Sequence, residues 1–177
     1  MVTMSDGGAA PDLIEHYCAW MLAAGRSPVT IATRRRQAQR LAEHTDPTTA
    51  TTYDLVAFLA RPDWKPATRA SERAAVRCFC RWMVDAGLRD DDPSARLPAV
   101  RVPPGVPHPA GEPALERARR LAAGPYEAAM VELAARAGLR RGEIARLTFD
   151  DLLVEPDGGY ALRVRGKGGR THVAIGT

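Results

Sequence analysis

Along the first half of the chain, apolar side chains recur at spacings of three and four, the mark of helices that bury one face. From Asp12 to Ala24 they stand at positions 13, 14, 17, 18, 21 and 22, and Gly25 supplies a natural stop. A second helix is predicted from Ser27, an N-cap residue followed by Pro28 at the first helical position, to about Glu43. A shorter helix covers about Thr52 to Ala60, ahead of Pro62. The fourth runs from about Pro66 to Ala86 and closes at Gly87, with Val76, Phe79, Cys80, Met83 and Val84 on one side. Together these segments predict an all-helical bundle.

Seven of the fourteen prolines (93, 98, 103, 104, 107, 109 and 113) then crowd into one stretch. Such a stretch has no regular hydrogen-bond ladder and reads as a semi-rigid linker. The expected organisation is a helical domain over residues 8–92, a linker over 93–113 and a second domain over 114–177. Beyond the linker, helices are expected near Ala114 to Ala123, Tyr126 to Ala137 and Arg141 to Phe149. The period then falls from 3.6 to 2. Leu152 to Val154, Tyr160 to Arg165 and Thr171 to Ile175 read as a three-stranded antiparallel meander, with turns at Pro156-Asp157-Gly158-Gly159 and at a glycine-rich tip. The expected fold class is therefore mainly α with a small antiparallel β-meander.

Composition changes this picture little. With 45% hydrophobic and 26% charged residues the chain has ordinary globular usage. No run approaches the roughly 18 apolar residues of a membrane span, and no leader pattern opens the chain, so a cytoplasmic protein without a membrane partner is expected. A net charge of +4 suits a polyanionic partner, although many proteins that never meet nucleic acid share it. Of the 25 basic residues only Lys65 and Lys167 are lysines, which makes each of them a position to question. Cys18, Cys78 and Cys80 have neither a zinc spacing nor a distant Cys/His pair, so buried free thiols and no metal are expected.

Three features could carry chemistry. On the fourth helix Arg69, Arg73, Arg77 and Arg81 recur every four residues, each step turning only about 40°, and form a cationic ridge opposite the apolar face. On the second, Arg34, Arg35, Arg36 and Arg40 make another basic patch. With Lys65 these residues are candidates to neutralise the phosphates of a duplex; solvated helix faces are the plainer reading. Next, Arg140 follows Gly138 at a sharp junction between two helices, where a guanidinium and free N–H groups could hold a phosphate, or where Arg140 could simply pair with Glu143. Last, Arg165-Gly166-Lys167-Gly168-Gly169-Arg170 places Lys167 at a hairpin tip. It is no Walker loop, because Gly168 stands where Ser or Thr is required. An exposed hairpin lysine is unremarkable, yet a lysine can give up a proton and so suits a general acid.

In order, these segments resemble the tyrosine recombinase (phage integrase) family. Ser27-Pro28-Val29-Thr30-Ile31 is similar to the opening of its core-binding helix, and Arg77 to Trp82, leading to Gly87 and Asp92-Pro93, resembles its last core-binding helix and exit. Gly138-Leu139-Arg140, Glu143-Ile144 and Leu147, followed by Asp150-Asp151, resemble the box around the first catalytic arginine, and Gly166-Lys167-Gly168 the catalytic-lysine hairpin. The resemblance implies a four-helix SAM-like core-binding bundle joined to an incomplete α+β catalytic domain. It further implies double-stranded DNA at a core recombination site as partner, other recombinase subunits beside it, and a nucleoid-associated location. The implied activity is site-specific recombination or integration by metal-free, cofactor-free transesterification. Arg140 would stabilise the transition state, Lys167 would protonate the leaving oxygen and Glu143 would orient the corner. The family's His-x-x-Arg segment, its later His or Trp and its C-terminal tyrosine have no counterparts among the ten residues after Lys167. His172 is not a substitute, and Tyr17, Tyr53, Tyr126 and Tyr160 match no nucleophile position, so none is assigned. The chain is thus expected to be truncated and to bind without cleaving alone, the alternatives being a non-catalytic DNA-binding remnant or a helical protein-interaction module.

Overall fold

In a computed structural model, residues 9–155, 158–166 and 171–175 are described, with backbone alone for 9–11 and 171–175. The chain divides into two compact units after Gly105. The first holds α1 (Ala9–Ala23), α2 (Pro28–Ala42), α3 (Thr52–Leu59) and α4 (Pro66–Asp85). The second holds α5 (Glu112–Leu121), α6 (Pro125–Ala135), α7 (Arg141–Ile144), β1 (Leu152–Val154), β2 (Tyr160–Arg165) and β3 (Thr171–Ile175). None of the described helices is long and apolar enough to cross a membrane.

Local signals set the helix ends. The Ser27 hydroxyl accepts from the Thr30 N–H, and Thr51 and Asp54 form a reciprocal capping box at the start of α3, each cap worth roughly 1 kcal/mol. Gly87, at φ +69°, ends α4. Its N–H donates to the Val84 carbonyl at 3.0 Å and that of Leu88 to Met83 at 2.8 Å, the paired bonds that close a helix through a left-handed residue.

In the first unit one core joins all four helices. Tyr17 of α1 lies 4.9 Å from the Phe79 ring and 5.0 Å from that of Trp82, both on α4. Leu41, Leu55, Phe58 and Met83 fill the remaining space and are fully buried, each contributing about 1.5–3 kcal/mol by burial. Of the three cysteines, expected to be buried, Cys18 and Cys80 are, but Cys78 is exposed. Cys78 lies two residues, or about 200°, from Cys80 on the same helix, so the core cannot take both.

The proline-rich stretch also begins differently from a free spacer. Pro93 and Ser94 are buried and Leu97 joins the core, while the Pro93 carbonyl accepts from Thr52 Oγ1 at 2.8 Å. Residues 98–110 carry no regular structure, and α5 already starts at Glu112.

In the second unit Arg119 of α5 pairs with Glu112 at 3.1 Å and with Glu132 of α6, which also holds Arg136 at 2.7 Å. The helix expected from Arg141 to Phe149 stops at Ile144, and Phe149–Asp151 form a 3₁₀ turn. Thr148 opens that turn: its N–H and hydroxyl both donate to Asp151 Oδ2, at 3.1 and 3.0 Å, just ahead of β1. The sheet is antiparallel in the order β1-β2-β3, with Leu153 opposite Ala161 and Val164 opposite His172. Ala161 and Val164 are buried. Between α6, α7 and β1 lies an open apolar groove of about 560 Å³ lined by Tyr126, Met130, Ile144, Phe149 and Leu152.

Candidate nucleic-acid interface

The expected continuous ridge along α4 is split. Arg69 donates to the Leu59 carbonyl and to that of Arg61, both at 2.8 Å, and Arg73 donates to Leu97 at 2.8 Å. Those carbonyls end α3 or lie in the buried start of the linker, and without a donor each would be desolvated at a cost of about 1–3 kcal/mol. The two arginines therefore staple the bundle. Arg77 and Arg81, one and two turns further on, are exposed and make no hydrogen bond or ion pair within the described residues. Lys65 is exposed as the N-cap of α4.

On α2 the four arginines also separate. Arg35 pairs with Glu15 of α1, Nη2 lying 2.8 Å from Oε2, and Arg34 donates to Gln37 at 3.2 Å. Arg40 pairs with Glu72 of α4 at 2.8 Å and lies 6.0 Å from the Trp64 ring centroid. Arg36 is exposed and touches only its own helix, at the Ala32 carbonyl. One residue outside the sequence-derived set joins this surface: Arg26, between the α1 stop and the α2 cap, lines a groove of about 410 Å³ with Trp20, Arg34, Cys78 and Arg81. Its place directly before an N-cap serine was a readable signal, since it fixes a cation at the helix entry.

In the second unit Gly138 adopts φ +64°, a left-handed turn that ends α6 and turns the chain into the corner. There the Arg140 N–H donates to Glu143 Oε2 at 2.8 Å, and Arg140 Nη1 reaches Glu143 Oε1 at 3.1 Å. Glu143 is buried, yet the Arg140 side chain stays 84% exposed. The carboxylate thus fixes the backbone and the root of the side chain and leaves most of the guanidinium's donors facing solvent. The four-residue α7 is too short to add the dipole of a full helix. Close by in sequence, Asp151 is only 1% exposed. The Thr148 backbone N–H, then the Thr148 hydroxyl and the charges of Arg165 and Arg163, hold its carboxyl below the usual range against the effect of burial. Arg165 reaches Asp151 Oδ1 at 3.3 Å. Lys167 lies outside the described residues.

No family model matches the chain. It is 36% identical over 115 residues to the tyrosine recombinase XerD of Caulobacter vibrioides, an alignment covering 62% of this chain and 37% of that protein. The integrase of mycobacterium phage Brujita shares its architecture at 27% identity and a TM-score of 0.53, over 96% of this chain and 58% of that one. A lambda integrase tetramer bound to a Holliday junction matches with a TM-score of 0.73 at 17% identity, over 93% of this chain and 49% of that one. Sequence and fold point the same way: the chain is similar to tyrosine recombinases over part of their length. It spans little more than a third of the length of the curated relative it matches.

Proposed function

We propose that this chain grips double-stranded DNA in site-specific recombination, as part of a tyrosine recombinase assembly with other recombinase subunits. The observation that carries the reading is the division of labour on α4, where Arg77 and Arg81 face solvent without an internal partner while Arg69 and Arg73 are consumed by the fold. Arg36 of α2 and Lys65 at the start of α4 are exposed cations as well. Free guanidiniums on two packed helices supply phosphate contacts without sequence information, the larger share of a duplex-binding affinity.

In this reading Arg140 approaches a DNA phosphate with its unspent donors while Glu143 holds its backbone, and Lys167, between β2 and β3 in the sequence, supplies the proton to a departing oxygen. A guanidinium aimed at developing charge and a general acid are complementary means of lowering a phosphoryl-transfer barrier. No nucleophile is assigned to a residue of this chain. The chain would work in the cytoplasm, at the nucleoid. Titrating a short mixed-sequence duplex at rising salt tests the reading. Binding should weaken with a log-log slope of about −0.9 per neutralised phosphate, and absent or salt-insensitive binding overturns it.

A further inference from the structure

Glu72 is an acidic group where a phosphate-binding surface should not want one. It sits on α4, 3% exposed, between the arginine rows of α2 and α4. Its Oε1 accepts from Arg40 Nη1 at 2.8 Å and from Gln37 Nε2 at 3.4 Å. Its Oε2 is buried with no hydrogen-bond partner. Gln37 is buried too; it also donates to Ser71 at 3.2 Å and accepts from Arg34 Nη1 at 3.2 Å. A buried carboxylate with one idle oxygen is a poor source of stability, because its desolvation offsets most of the attraction to its partner. Stability alone therefore does not account for its place here.

We propose that Glu72 is a positioning residue for the DNA grip. It withdraws Arg40 from the phosphate-binding set and, through Gln37, ties Arg34 and the α2 backbone to α4. Of the arginines on α2 and α4, those left to meet phosphates are Arg36, Arg77 and Arg81, at a spacing set by the α2–α4 clasp. Arg40 accordingly serves the clasp and not the duplex. This rests on the DNA-binding reading above, and its failure is distinguishable from the failure of that reading.

The test is the salt slope of binding to a short mixed-sequence duplex, measured for the full chain and its variants. Paired replacement E72Q/R40Q removes both charges and should leave the slope of the unaltered chain in place, whereas R77Q should reduce it by about 0.9. E72Q alone should steepen the slope by about the same amount, as Arg40 becomes free to meet a phosphate, and R40Q added to it should cancel the gain. A purely structural Glu72 would instead lower thermal stability and leave the slope untouched. The proposal is overturned if E72Q/R40Q loses slope as R77Q does, or if folded E72Q matches the unaltered chain. Should E72Q not fold, the paired variant still decides. An unaltered chain that ignores salt brings down the DNA reading and this inference with it; a salt-sensitive chain with the wrong variant slopes brings down this inference alone.

Discussion

Cys78 and Cys80 stand two positions apart and live in different media. Burial in the first unit's core pushes the Cys80 thiol up to about 12, and Cys18 is buried as well, while Cys78 faces solvent. Since the thiolate is the reactive form, a disulfide reagent should modify one thiol of the native chain quickly and the other two only on unfolding. Fast reaction of all three would show a loose core. Tyr17 offers a second check: burial raises its hydroxyl from 10.0 to about 12. A group whose folded value lies above its unfolded one contributes stability that is complete below about pH 10 and is lost as pH climbs towards the folded value. The first unit should therefore lose stability between about pH 10 and 12, and Tyr17→Phe should flatten that part of the profile. The exposure of Cys78 could have been read from the sequence, because a single helix face cannot hold residues two apart.

Among the elements, helix positions were legible and helix partners were not. Ser27-Pro28 and Gly87 mark helix ends with little help from the rest of the fold, and the apolar stripe of α4 points where its spacing says. The arginine row on the same helix shares that regular spacing, yet it divides into two pairs with different work. The acceptors that claim Arg69 and Arg73 are carbonyls of Leu59, Arg61 and Leu97, whose approach depends on tertiary packing. Period alone reports a direction, never a partner. R69A and R73A should each destabilise the first unit by about 1–3 kcal/mol, read as a drop in melting temperature, by stranding buried carbonyls. R77A and R81A should leave melting unchanged and weaken duplex binding; a reversal of the two pairs would refute the division. The 3₁₀ turn after α7 was written in the chain as Thr148 three residues before Asp151, a capping pattern that starts a new turn there. Helical periodicity through Leu147 masked it.

At the scale of the molecule, the family and the fold were legible because several modest motifs occur in the right order, and order is improbable by chance even where each motif is ordinary. The candidate site is less evenly legible. Arg140 has the exposure and the Glu143 anchor its spacing suggested, but Arg34, Arg35 and Arg40 are engaged by neighbours, and Arg26 is an addition. The two units also differ in how well they cover themselves. The first closes over a shared aromatic core, while the second leaves Phe149 88% and Tyr126 75% exposed beside its apolar groove.

That uncovered groove makes the second unit a poor solitary traveller. An oily trough of this size invites whatever greasy surface it meets, so the purified chain should light up an environment-sensitive dye such as anilinonaphthalene sulfonate and thicken into soluble aggregates as it is concentrated. Phe149→Ser should quench the dye and keep the chain monodisperse in light scattering, while leaving the thermal transition of the first unit where it was.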